Sequence, residues 1–134
     1  MPLSIKRLND GGVIIQATGV INVNDIREIK STLYTDNHSI KNIHYQILDY
    51  SQAQDLDLSH EDIWKMALRD KEALQINPHM LIAVISEKDV IYGLSRMWNA
   101  YTETTPLNTG VFRDLANAEE WVMQRQISQA LSIR

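Results

Sequence analysis

Met80-Leu81-Ile82-Ala83-Val84-Ile85 is an unbroken run of six apolar residues, with Pro78 just before it and Ser86-Glu87-Lys88-Asp89 just after. Six residues are too short for an ordinary helix and right for a strand, and no polar residue interrupts the run at alternate positions, so both faces of that strand must be covered. The run predicts the middle strand of a sheet with helices packed against it.

Working back toward the N-terminus, Ser59-His60-Glu61-Asp62 has a hydroxyl followed three residues later by an acid, the pattern of a capping box, and Ile63, Met66, Ala67, Ala73 and Leu74 follow at helical spacing. A helix is predicted from there to about Ile76, stopped by Pro78. Before it, Ile43 to Asp49 alternates Ile43, Tyr45, Ile47 against His44 and Gln46, a strand whose C-terminal edge is set at Asp49. Asn24 to Tyr34 puts Ile26, Ile29 and Leu33 on one helical face, with Asn22 or Asn24 as its cap. The chain opens with a hairpin, Leu3 to Leu8 and Val13 to Val20, joined by Asn9-Asp10-Gly11-Gly12.

Toward the C-terminus, Ser86-Glu87-Lys88-Asp89 repeats the box pattern ahead of Val90, Ile91, Leu94, Met97, Trp98 and Tyr101, an apolar stripe on a third helix ending before Pro106. Asn108 to Arg113 is a short last strand. Asp114 or Asn117 caps a final helix that turns Ala118, Trp121 and Val122 inward and runs on to Arg134. The order β-β-α-β-α-β-α-β-α gives an α/β domain, a five-stranded mixed sheet with four parallel strands, one antiparallel N-terminal strand and four helices.

The 134 residues suit a single domain, 1–134, and carry a net charge of −4. Thirteen Lys and Arg residues are scattered among seventeen acids, without the basic stripe that phosphate backbones attract, so no nucleic acid partner is expected. Cysteine is absent, which excludes disulfides, thiolate metal sites and cysteine nucleophiles and fits a cytoplasmic location. Met1 to Asn9 has no apolar signal core, and the longest apolar run is far below the ~20 residues of a membrane span. The histidines His38, His44, His60 and His79 form no HxH or HExxH pair, so no metal site is expected. No Gly-rich phosphate loop follows a strand and no G-x-S-x-G elbow is present, so neither a cofactor nor catalysis is expected.

Parallel strands deliver their C-terminal ends to one rim, where open α/β sheets bind ligands. The residues expected there are Asn24, Asp49, Ser51, Ser86 and Arg113. Asp49 also suits a plain Asx turn, whereas Arg113, near helix N-termini, would attract an anion. An exposed Trp64 would mark a protein interface, and Ile127 and Leu131 make the last helix a candidate homodimer contact.

Ile47-Leu48-Asp49, Gly93-Leu94-Ser95-Arg96-Met97, Val111-Phe112-Arg113-Asp114 and Ala118-Glu119-Glu120-Trp121, in this element order, resemble the SpoIIAA-like proteins over nearly the whole chain. These small bacterial domains are related to STAS domains, and comparisons with the CRAL-TRIO lipid carriers are made for them. In anti-sigma factor antagonists a Ser within Asp-Ser-Ser-Gly, at the start of the second helix, is phosphorylated by the partner kinase. The corresponding stretch here is Asp57-Leu58-Ser59-His60, which lacks the second Ser and the Gly but keeps Ser59 as a hydroxyl at a helix N-terminus. The resemblance implies a non-catalytic module that docks a protein partner. The alternative is a carrier or sensor of a small anionic or lipid-like ligand in the strand-end crevice.

Overall fold

The computed structural model describes residues 2–102 and 108–132. Leu3–Arg7 (β1) and Gly12–Asn22 (β2) pair antiparallel, Leu3 opposite Ala17 and Arg7 opposite Val13. Gly11 has φ +86° in the turn between them, a conformation that a side chain disfavours. The turn is also tied to the next strand. The His44 amide donates to the Gly11 carbonyl at 2.9 Å, and the Tyr45 hydroxyl donates to Asp10 Oδ2 at 2.7 Å.

Tyr45–Asp57 (β3), Leu81–Ile85 (β4) and Thr109–Phe112 (β5) complete a five-stranded sheet in the order β1-β2-β3-β4-β5, with every pair after the first parallel. The apolar run 80–85 is buried on both faces as expected, but β3 is the middle strand, because the chain lays its strands down in sequence order.

That order decides where the helices go. Val23–Leu33 (α1), Asn37–Lys41 (α2), His60–Ile76 (α3) and Asp89–Thr102 (α4) lie in the connections between parallel strands. Crossovers of one hand that always step in the same direction put their helices on the same face. Ile26, Leu33, Ile40, Ile63, Ala67, Ile91 and Trp98 accordingly share one core with Ile15, Leu48, Ile82 and Val84. Among the described residues Leu115–Ser132 (α5) is the one helix on the other face, where Ala118 and Val122 meet Ile47, Leu81, Ala83 and Ile85.

Several expectations change in detail. The short α2 is a fifth helix, missed because five residues hold too little periodicity to read. Within the stripe expected on α4, Val90 and Tyr101 are 70% and 40% exposed, whereas Ile91 and Trp98 are buried. Ser86 does not cap α4; it is fully buried and its hydroxyl bonds Ser95 Oγ at 2.8 Å. Asp114 caps α5, accepting from the Asn117 amide at 2.8 Å. The halt before Pro106 and the reach to Arg134 lie outside the described residues.

The largest difference is the length of β3. It does not stop at Asp49 but continues to Asp57 alongside β2, whose Asn22 pairs with Asp57. Pairing with β4 ends at Asp49, opposite Ile85, and pairing with β1 ends at Ala17, so β3 projects beyond the rest of the sheet by eight residues and β2 by five, a ribbon of roughly 17 Å. Polar residues such as Gln52 and Gln54 in this stretch read as loop, but they face solvent while Ala53 and Leu56 face the core. Lys88 Nζ donates to the Ala53 and Gln54 carbonyls at 3.1 and 3.2 Å, satisfying backbone that has no strand neighbour on that side.

A Cβ on Gly12 would collide with the ring of Tyr45, which is buried and held by its bond to Asp10. Gly12→Ala is expected to lower stability by about 1–3 kcal/mol, read as a lower urea midpoint with unchanged slope; an unchanged midpoint would show that the ring moves freely.

Candidate functional site

The projecting ribbon carries two helix starts side by side. At the end of β2, Asn22 Oδ1 accepts from the Asp25 amide at 3.0 Å while Asp25 accepts from the Asn22 amide at 2.9 Å. At the end of β3, Ser59 Oγ accepts from the Asp62 amide at 3.1 Å and Asp62 accepts from the Ser59 amide at 2.9 Å. Both are complete capping boxes, so α1 and α3 begin at defined residues on neighbouring strand ends. The bond from the Ser59 backbone holds the Asp62 carboxyl below its ordinary range, with further help from the Ser59 side chain, Arg27 and Lys65. Ser59 itself is exposed, and Trp64, just over one turn further on, is 48% exposed.

A buried polar network joins α1, α3 and α4 to the start of β3. Lys30 Nζ is 3.0 Å from Asp70 Oδ1, with both side chains almost wholly buried, and donates to Gln46 Oε1 at 2.8 Å. The Tyr34 hydroxyl donates to Asp70 Oδ1 at 2.8 Å and accepts from Gln46 Nε2. Trp98 Nε1 donates to Asp70 Oδ2 at 2.9 Å. One carboxylate therefore receives bonds from α1 and α4, and the lysine that it pairs with is held by β3. A cavity of about 20 Å³ between α3, α4 and the sheet lies against it, room for about one water.

Lys30, Gln46 and Asp70 were not singled out from the sequence, yet they carried a signal. Lys30 falls on the Ile26–Leu33 face, Asp70 falls between Ala67 and Leu74 on the apolar face of α3, and Gln46 interrupts a buried strand. Polar residues at core positions on three separate elements have to find one another.

The residues expected at the strand-end rim divide among several places. Asp49 points to the α5 face and accepts from the Ser51 amide at 2.9 Å, the Asx-type contact that the sequence also allowed. Ser86 lies on the opposite face, against α4. Arg113 donates to the Glu87 carbonyl and to Asp89 Oδ1, at 2.8 and 2.9 Å, and stacks over Tyr92 with its guanidinium carbon 3.8 Å from the ring centre. It borders a groove of about 620 Å³ along the free edge of β5, lined also by Phe112, Trp121 and Arg125. Asn24 is on the projecting tier, on α1, where it accepts from Arg27. Met123, Ile127 and Leu131 form an exposed apolar stripe on α5. Among the described residues no group of three or more His, Asp and Glu could hold a metal ion, and no helix is long and apolar enough to cross a membrane.

No family model matches this chain, and no curated protein matches it by sequence. Solved structures do match. The anti-sigma factor antagonist SpoIIAA in its unphosphorylated form superposes with a TM-score of 0.61 at 10% identity, over 92% of this chain and 96% of that one. The Bacillus cell fate determinant SpoIIAA in its phosphorylated form gives 0.60 at 9% identity, over 90% and 98%. The chain thus has the SpoIIAA-type fold, the STAS architecture of a mixed sheet with an antiparallel first strand, across nearly its full length. This agrees with the resemblance seen in its sequence.

Burial raises the Tyr34 hydroxyl well above its ordinary value of 10.0, with Asp70 adding to the effect, and raises Tyr50 for the same two reasons. Above about pH 10 the unfolded chain releases these protons while the folded chain keeps them, so stability falls as pH rises. Urea midpoints measured from about pH 9 to 11 should decline less steeply in Tyr50→Phe than in wild type; parallel declines would contradict this.

Proposed function

We propose that this chain is a non-catalytic docking module of the anti-sigma factor antagonist type, which binds a protein partner through the exposed start of α3. The observation that carries the reading is Ser59. In a chain with the fold of SpoIIAA, it is an exposed hydroxyl at the N-cap of the helix that follows the third strand. SpoIIAA is known in phosphorylated and unphosphorylated forms. A phosphoryl group on Ser59 would be favoured by the helix dipole but would sit beside the Asp62 carboxylate, which already holds the Ser59 amide. Adding two negative charges to a capping box changes both the field and the hydrogen bonding of the tip, which is enough to turn docking off.

Trp64 supports the same surface. A tryptophan left half exposed on the helix that carries Ser59 is the residue type most enriched among interface hot spots. Among the described residues no serine or threonine hydroxyl bonds a histidine ring, and the Ser86 hydroxyl is paired with Ser95.

Affinity capture from the source cell with wild-type, Trp64→Ala and Ser59→Asp baits tests the proposal. Wild type should retain one protein at stoichiometric level, and each variant should bind that protein about thirtyfold more weakly. A wild-type bait that retains none, or variants that bind as well as wild type, would overturn it.

A further inference from the structure

Four of the chain's thirteen Lys and Arg residues, Arg27, Lys30, Lys65 and Arg69, line one recess of about 180 Å³ between α1 and α3. In a chain of net charge −4 this is a local reversal of sign. Two of the four are neutralised: Lys30 by Asp70 at 3.0 Å, and Lys65 by Glu61 at 3.2 Å in an exposed pair of little energetic weight. Arg27 and Arg69 are not. Among the described residues neither guanidinium has a carboxylate at ion-pairing distance; Arg27 reaches Asn24 Oδ1 at 3.4 Å, and Arg69 reaches the Arg27 carbonyl and Ser31 Oγ at 3.4 and 3.2 Å.

The single acid in the lining, Asp62, has one oxygen committed to the Ser59 amide. Arg69 crosses from α3 to α1, which holds its fork in place before any ligand arrives. Val23 and Met66, both half-buried, supply an apolar wall beside the cations.

From this geometry we infer that the α1–α3 recess binds a small phosphomonoester, its phosphoryl oxygens shared between Arg27 and Arg69 and its organic part lying against Val23 and Met66. A phosphoryl group presents three oxygens to two forks arriving from different helices, a match that a single carboxylate does not offer. The volume is well above the about 10–15 Å³ that admits one water, so a substituent fits alongside the phosphoryl group. The inference does not depend on protein docking, although the recess and the Ser59 capping box share Asp62.

Phenyl phosphate titrated at constant ionic strength, followed by amide ¹H–¹⁵N shifts, tests it. Saturable shifts are expected at residues 23–27 and 62–69, with affinity about tenfold weaker in Arg27→Gln and in Arg69→Gln and unchanged in Arg125→Gln. The Arg27 side chain is exposed and bonds only its own helix, so its variant keeps the test valid if Arg69→Gln perturbs the fold. Sedimentation with phosphatidic acid vesicles, lost in Arg27→Gln, would make a lipid head group the source; binding of phenyl phosphate without vesicle binding would make it a free phosphomonoester. No saturable shift by about 10 mM, or shifts that Arg27→Gln leaves unaltered, would overturn the inference.

Discussion

Lys30 and Asp70 meet with both charged ends removed from water, which costs several kcal/mol per ion unless the pair is well placed and its remaining donors and acceptors are satisfied. Here they are satisfied by Tyr34 at the C-cap of α1, Gln46 on β3 and Trp98 on α4. An apolar core tolerates small slips, because any hydrophobic surface will serve. A buried ion pair with directional bonds does not, since a shift of α3 against α1 would leave a charge unpaired. The network therefore fixes the register of three helices over one sheet face.

The position of the candidate surfaces follows from that register. Sequential strand order puts α1, α3 and α4 on the same face, and the long β2–β3 ribbon carries the starts of α1 and α3 beyond the ends of β4 and β5. The strand ends consequently form a stepped edge. The projecting step bears Asn22, Ser59 and the cationic recess, and the lower step bears Ser86 and Arg113. Lys30 of the buried pair also lines the recess, so packing and surface charge share that residue.

Much of the fold was legible because local rules were obeyed. The run 80–85, the Gly11–Gly12 turn and the Ser59–Asp62 box each read directly as the elements they form. The overrun of β3 was not legible: a two-stranded ribbon with one wet face alternates small and polar residues, and Gln52 to Asp55 look like a loop until β2 is known to pair with them. The site was harder still. Hydroxyls and acids near strand ends were visible, but which face each occupies depends on register, and a single alternation separates Asp49 from Ser86. Ser59 was legible because a cap is a local device; Arg27 and Arg69 were not, because the recess exists only once two helices pack.

A double-mutant cycle on Lys30→Met and Asp70→Leu, with stability measured by urea denaturation, tests the role given to the buried pair. Each single replacement should cost about 3–5 kcal/mol by stranding a charge, and the double replacement should recover much of that loss, giving a coupling of at least about 2 kcal/mol. Single costs that simply add, to within about 0.5 kcal/mol, would show that the two charges act independently and that something else holds the three helices in register.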